Sequence, residues 1–416
     1  MSEAPETHCP ENGPVSFLNS PPRPLRQNSW HPYHAVTKKI CYSYLQVLLI
    51  FVPIGIVTGS LQWADEVVFL SNLVAIIPLI SWTNLALSQQ YASLGQVVDE
   101  LLKASLGNTI ELIVGLIAVK QQQVRMSQSV LLGSTLCYLL LVLGGCLFVA
   151  GYDKKKLRFD LTLTSILSSL LMVVSISLII PTIIAMFSSF NSEANDESDI
   201  VLISHTAAVV LFTLLFVFLL FRLRTHTSLF DTVLYPEPPR TVPNQDATPP
   251  ERYPIFERFR PSIILLVASS CVLICGYYVV GSVNGFCQAS GFSKAFTNLV
   301  LIPVMGNSTK YLTIIAMCRT NKVELGIRAV ISSILRLTLL IAPFLVFLGW
   351  TFDLPMSLNF DPFEATVFFI SIMVTSGMMH NGETNYFEGL MLMGTYLIAT
   401  LSFYMRPAAP EKVPFH

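Results

Sequence analysis

The sequence predicts an all-α polytopic membrane protein with about eleven transmembrane helices, arranged as two inverted-topology repeats whose helices break at Gly-Asn pairs. Hydrophobic residues make up 53% of the 416 residues and charged residues only 12%, whereas soluble domains carry roughly 25% charged residues. Runs such as SILSSLLMVVSISLIIPTIIAMF are long enough to cross a bilayer, which takes about 20 residues. A repeated motif, described below, is the third observation. The net charge of −1 gives no indication of nucleic-acid binding.

Apolar segments and basic loops together predict how the chain crosses the bilayer. Lys and Arg collect in the N-terminal region and in the loops after the fourth, sixth and eighth segments. These regions share one side if there are eleven spans, and basic loops face the cytosol. We therefore expect a cytosolic N terminus. The predicted segments lie near residues 42–60, 66–88, 107–120, 129–150, 161–187, 200–221, 262–284, 295–317, 327–349, 362–379 and 387–405.

Composition also predicts the division of the chain into two transmembrane halves. A polar, Pro-rich N-terminal stretch without an apolar core is typical of a disordered tail, and the stretch YPEPPRTVPNQDATPPERYP is typical of an extended linker. The eight cysteines lack neighbours that would suggest a metal site, so we expect small buried apolar residues. The predicted parts are a cytosolic tail (1–40), a first half (41–221), a cytosolic linker (222–261), a second half (262–407) and a short tail (408–416).

The internal repeat joins GNTIELIVGLIAVK, which begins at Gly107, to GNSTKYLTIIAMCR, which begins at Gly306. In this register Glu111 of the first copy is matched by Lys310 of the second. The copies are separated by an odd number of predicted crossings, so they point in opposite directions. Inverted repeats with interrupted helices are typical of secondary transporters. We expect helix breaks at Gly107 and Gly306, and a short third segment, 107–120.

The residues around these Gly-Asn pairs form a candidate cation and proton site. A broken helix frees backbone carbonyls, and Asn108, Asn307 and Ser134 add side-chain oxygens. Hard cations such as calcium prefer oxygen ligands. Glu111 adds the negative charge and is the candidate metal ligand, because an ionisable residue inside a span is expensive and usually functional.

Structural roles for the same residues stay open. Glu111 is then a carboxylate paired with a nearby base. Asn108 and Asn307 are helix caps at the breaks, and Ser134 is a helix-packing residue.

Motifs along most of the chain, from about Gln46 to Pro407, resemble the calcium/proton antiporter family, in particular the fungal vacuolar calcium ion transporter type. The resemblance is carried by LLIFVPIGIVTGSLQW, GNTIELIVGLIAVK, NLVLIPVMGN and DPFEATVFFISIMVTSG. It implies an eleven-helix, sodium/calcium exchanger-like fold in the vacuolar membrane. It also implies that cytosolic calcium is exchanged for lumenal protons without a cofactor.

The second repeat departs from the family pattern. Where the family reads Gly-Asn-Ala-Ala-Glu-His, this chain has Lys310 at the Glu and Tyr311 at the His, and Arg336 replaces a family Gln. We expect Glu111 and Lys310 to face each other, with the ammonium acting as a tethered cation and Arg336 adding repulsion. Two alternatives stay open, namely a neutral Lys310 that carries protons and a Lys310 that points away from the site.

Two functions follow from this departure. The first is a secondary transporter that exchanges calcium, or another cation, for protons. The second is a diverged paralogue without calcium exchange, in which Lys310 and Arg336 occupy the cation site and the protein acts on another ion or as a regulatory membrane partner. A channel is a third interpretation. The chain shows no nucleophile elbow, phosphate loop or zinc-binding helix motif, so we do not expect an enzyme, and the sequence gives no oligomeric state.

Overall fold

The computed structural model describes residues 45–90, 96–152, 156–158, 161–191, 196–225, 255–319, 323–354, 356–380 and 382–406. The predicted tails, 1–40 and 408–416, lie outside the described residues, and so does most of the predicted linker.

The described part of the chain is almost entirely helical. Its helices are α1 (Phe51–Ser60), α2 (Asp65–Gln90), α3 (Gln96–Leu106), α4 (Thr109–Lys120), α5 (Val124–Gly151), α6 (Leu161–Asn191), α7 (Asp196–Leu220), α8 (Ile255–Ser290), α9 (Lys294–Arg319), α10 (Val323–Thr351), α11 (Pro362–His380) and α12 (Tyr386–Met405).

Nine of the described helices, α2 and α5 to α12, are long and apolar enough to cross a membrane. A shorter apolar helical stretch, Leu45–Ser60, includes α1. Helices α3 and α4 are each too short to span alone, with 11 and 12 residues. Every predicted apolar segment coincides with helical residues, while the count of eleven spans stays a prediction.

The third segment begins earlier than the sequence predicts. We expected it to start at Gly107, but α3 precedes that residue and begins at Gln96. Asp99, Glu100 and Lys103 lie within these eleven residues and lower their hydropathy, which hides the helix from a search for apolar runs. The Gly-Asn pair therefore interrupts the segment near its middle.

The helix bounds repeat at the same spacing as the sequence motif. Helix α4 ends at Lys120, and α9 ends 199 residues later at Arg319. Helices α5 and α10 also begin 199 residues apart, and each contains a π-helical stretch, at Cys137–Val142 and Leu337–Ile341. This agreement supports the internal repeat, and the opposite orientation of its copies stays a prediction.

The predicted break at Gly306 is wrong. Residues Ile302–Arg319 form one continuous helix that includes Gly306 and Asn307. A Cβ atom added at Gly306 would lie 1.9 Å from Cδ1 of Ile110. The glycine at this position therefore allows α9 to approach α4 closely instead of breaking the helix.

Close packing of α9 positions the candidate site. Helix α9 contacts α4, α5 and α10. A Cβ atom at Gly133 in α5 would lie only 2.2 Å from the backbone oxygen of Leu299 in α9, so the two backbones meet directly. The Gly-Asn break and the second repeat are consequently held side by side.

A short antiparallel pairing joins the two halves outside the helices. Strand β1 (Leu157–Arg158) pairs with β2 (Glu383–Thr384). Lys156 lies beside this pair and forms an ion pair of 2.8 Å with Glu383.

Candidate cation site

The helix break at Gly107 and Asn108 supplies free oxygen atoms inside the helix bundle. Asn108 has φ −120° and ψ 50°, which is not helical. The first backbone hydrogen bond of α4 runs from the N–H of Leu112 to the carbonyl of Asn108, at 3.1 Å. The preceding carbonyl, that of Gly107, lies outside this ladder and is available to another donor.

Glu111 lies in the first turn of α4 and is 0% exposed. The N terminus of a helix favours a negative charge. Its Oε1 atom accepts a hydrogen bond of 2.6 Å from Nδ2 of Asn307. Its Oε2 atom has no hydrogen-bond partner among the described residues. One carboxylate oxygen is therefore oriented by the second repeat, and the other can accept a cation or a proton.

Lys310 reaches from α9 into the break of the first repeat. Its Nζ donates to the carbonyl of Gly107 at 2.9 Å and to Oδ1 of Asn108 at 2.7 Å. The ring of Tyr138 lies alongside, with Nζ 5.2 Å from the ring centroid, a distance at which a cation and an aromatic face attract each other. Lys310 therefore occupies the oxygen atoms that the break exposes.

Glu111 and Lys310 were expected to face each other, but the described contacts include no direct ion pair between them. Asn307 binds Glu111, while Lys310 binds Gly107 and Asn108. The ammonium nevertheless occupies oxygen atoms of the break, as expected of a tethered cation. The alternative in which Lys310 points away from the site is also wrong, since its amine lies inside the break.

Arg336 supplies a second cation near the site. Its guanidinium donates to the hydroxyls of Ser332 and Ser333, both at 3.0 Å. The charges of Arg336 and Glu111 both act on Lys310. Lys310 therefore lies in the field of one positive and one negative side chain.

The remaining predicted ligands differ in their availability. Ser134 is fully buried, and its hydroxyl has no hydrogen-bond partner among the described residues, so it can serve as a ligand. Asn108 makes no side-chain cap of α4, and its oxygen is taken by Lys310. The side-chain nitrogen of Asn108 instead donates to the carbonyl of Ala104 at 3.4 Å, in the last turn of α3, so Asn108 caps the helix before the break. Asn307 lies within a helix and donates to Glu111, so it is not the expected helix cap.

Sequence reasoning missed the aromatic wall of the site. Tyr138 and Tyr311 are buried, and their rings meet edge to face with centroids 4.9 Å apart. The tyrosine next to Lys310 was visible as a substitution in the motif, but its partner on α5 could be found only from the packing. Among the described residues no group of three or more His, Cys, Asp or Glu is placed to hold a metal ion. A cation would therefore depend on carbonyl, amide and hydroxyl oxygens beside Glu111.

A direct ion pair lies outside the spans, between the residue before α11 and the residue after α12. The guanidinium of Arg406 contacts both carboxylate oxygens of Asp361, at 2.6 and 3.0 Å. Burial raises the pKa of Asp361, but the hydrogen bond and charge of Arg406 and the backbone amides of Glu364 and Phe363 outweigh it. The pKa of Asp361 is consequently held below its ordinary value.

Buried ionisable groups at a helix break inside a many-helix membrane protein are typical of secondary active transporters. The chain belongs to the sodium/calcium exchanger protein family, whose model matches residues 67–224 and 261–405. It is 33% identical to the vacuolar calcium ion transporter of Schizosaccharomyces pombe, over 89% of this chain and 87% of that protein. It is 28% identical to the Ca²⁺/H⁺ antiporter of Synechocystis sp., over 87% of this chain and 97% of that protein.

Solved structures share the fold. The structure of native YfkE superposes with a TM-score of 0.70 at 23% identity and covers 87% of this chain and 100% of that chain. The H⁺/Ca²⁺ exchanger CAX superposes with a TM-score of 0.59 at 13% identity and covers 87% of this chain and 91% of that chain. The predicted exchanger-like fold is therefore confirmed.

Proposed function

We propose that the protein is a secondary active transporter of the calcium/proton antiporter type. It moves cytosolic calcium, or another cation, into the vacuole in exchange for protons and needs no cofactor. The observation that carries the proposal is Glu111, a fully buried carboxylate at a helix break with one oxygen fixed by Asn307 and the other free.

A single carboxylate can couple two fluxes because a cation and a proton compete for the same oxygen. When the cation leaves Glu111, a proton neutralises the buried charge, which is otherwise costly. When the proton leaves, the carboxylate can bind a cation again. Ser134 offers an uncharged oxygen that has no hydrogen-bond partner among the described residues. Alternating exposure of this site to the two sides of the membrane then exchanges one ion for the other.

The relatives support this proposal. They include vacuolar calcium ion transporters and the vacuolar cation/proton exchanger 5 of Arabidopsis thaliana, which is 29% identical over 87% of this chain. The basic loops of the sequence favour a cytosolic N terminus in the vacuolar membrane. The alternative of a non-exchanging paralogue is not favoured, because the family match extends over both transmembrane halves.

The proposal is tested with the purified full-length protein in vesicles that are acidic inside and contain a pH-sensitive dye. Calcium, manganese, sodium and potassium are added outside, one at a time. We expect at least one cation to raise the internal pH, and Glu111→Gln to slow this exchange at least about 100-fold, the effect of losing one essential charged group. Glu383→Gln is the matched control, because Glu383 lies in the surface pairing with Lys156. Exchange at the normal rate in Glu111→Gln, or no response to any cation in the wild type, would refute the proposal.

A further inference from the structure

We infer that Lys310 sets the valence of the transported cation, so that the site prefers a monovalent to a divalent ion. This inference rests on the proposed exchange function and narrows its cation class. The contacts of Lys310 with the break of the first repeat carry it.

Lys310 occupies two of the oxygen ligands that the break exposes. A cation at the break would bind the carbonyl of Gly107 and Oδ1 of Asn108, but both oxygens already accept hydrogen bonds from Lys310. Of the ligands that the sequence predicts, only Oε2 of Glu111 and the hydroxyl of Ser134 have no partners among the described residues. Calcium takes six to eight oxygen ligands, so the loss of two affects it strongly.

Positive charge exceeds negative charge around the site. Glu111 supplies one negative charge, while Lys310 and Arg336 supply two positive charges that act in the same region. The interaction between two charges is proportional to their product. An approaching divalent cation is therefore repelled twice as strongly by Lys310 as a monovalent cation at the same position.

The fold holds the amine of Lys310 in place at the break. The residue lies on the continuous helical segment Ile302–Arg319, and its amine is held between two oxygen acceptors and the ring of Tyr138. Tyr138 is itself fully buried. The side chain therefore belongs to the site in this arrangement and is not a surface residue that reaches in by chance.

Equilibrium binding to the purified full-length protein tests the inference. Calorimetric titrations with calcium and with sodium compare the wild type with Lys310→Met and Lys310→Arg, and Lys120→Met is the control at the exposed end of α4. We expect Lys310→Met to raise the sodium affinity about 10-fold and the calcium affinity about 100-fold, since the logarithmic change scales with the charge of the ion. Lys310→Arg keeps the charge and should leave the ratio of the two affinities within about threefold of the wild type.

The inference would be overturned if Lys310→Met changed the calcium affinity and the sodium affinity by the same factor, or changed neither affinity. If the Met variant does not fold, the wild type still decides the question, because sodium should drive proton movement at least about 10-fold faster than calcium. Calcium-driven movement that matches or exceeds the sodium-driven rate would also overturn it. The failure of the exchange proposal is distinct, since it would appear as cation binding without proton movement for any cation tested.

Discussion

The two repeats carry the same Gly-Asn pair, yet the chain breaks only in the first. Asn108 leaves the helical region, whereas Gly306 and Asn307 continue within a helix. Lys310, three residues after Asn307, then binds the carbonyl that the break at Gly107 exposes. The same motif can therefore have a different backbone conformation in each repeat. The conformation of each copy depends on the polar groups that the other repeat supplies.

A hydrogen-bond donor from the other repeat is needed because an unpaired backbone carbonyl costs several kcal/mol in hydrocarbon. The first repeat avoids this cost by binding an amine from the second. The second repeat needs no such donor, since its backbone stays helical and its Asn307 is free to hold Glu111. As a result, the carbonyl of Gly107, Oδ1 of Asn108 and Oε1 of Glu111 each accept a hydrogen bond from the second repeat, while Oε2 of Glu111 has no donor among the described residues.

The two asparagines provide the largest expected contrast between the repeats. Asn307→Ala removes the hydrogen bond to the buried Glu111, and we expect the free energy of unfolding to fall by about 3 kcal/mol. Asn108→Ala removes one of two acceptors of Lys310, so we expect a loss of about 1.5 kcal/mol. Thermal unfolding in detergent measures both. A larger loss in Asn108→Ala would show that the first repeat, and not the second, holds the site together.

The two glycines provide a smaller contrast. A Cβ atom at Gly107 would lie 2.2 Å from the backbone oxygen of Lys103, while one at Gly306 would meet the flexible tip of Ile110. Backbone cannot move aside as a side-chain tip can, so we expect Gly107→Ala to cost about 2 kcal/mol and Gly306→Ala about 1 kcal/mol. The same unfolding measurement compares them, and the reverse order would contradict the assignment of the break to the first repeat alone.

The pair of Asp361 and Arg406 sharpens the comparison, because it is the direct ion pair that the central site lacks. Arg406 holds the pKa of Asp361 below its ordinary value, so the ionised carboxylate stabilises the folded state. That contribution is complete above the ordinary pKa of the carboxyl and is lost as the pH falls through the lowered value. Asp361→Asn should cost about 1 kcal/mol at pH 7 and progressively less as the pH falls through the lowered pKa of Asp361. A loss that does not shrink as the pH falls would contradict an electrostatic origin.

Hydropathy predicted the positions of the long helices well, because an apolar run of this length in a membrane protein forms a spanning helix. It missed α3, whose charged residues Asp99, Glu100 and Lys103 make it resemble a loop. The internal repeat was predicted from the motif spacing, and the helix bounds agree with it in part, because the ends of α4 and α9 and the starts of α5 and α10 lie 199 residues apart.

The arrangement of the candidate site was predicted only in part. The sequence identified Glu111 and Lys310 as the residues to examine, because a reversed charge within a repeat is visible without a structure. It could not predict which polar group each would bind, since that depends on the relative height of α4 and α9. This height is set by contacts such as the one between Gly306 and Ile110, which no local pattern reveals.

Calcium uptake into acidified vesicles, measured for the wild type beside Lys310→Glu, tests most directly whether Lys310 fills the cation position. The substitution removes the amine from the break and adds a second carboxylate to the site, so that two negative charges are available to a divalent ion. The account predicts that Lys310→Glu takes up calcium at least about 10-fold faster than the wild type and collapses the proton gradient as it does so. Equal uptake rates in the two proteins, or faster uptake in the wild type, would contradict it.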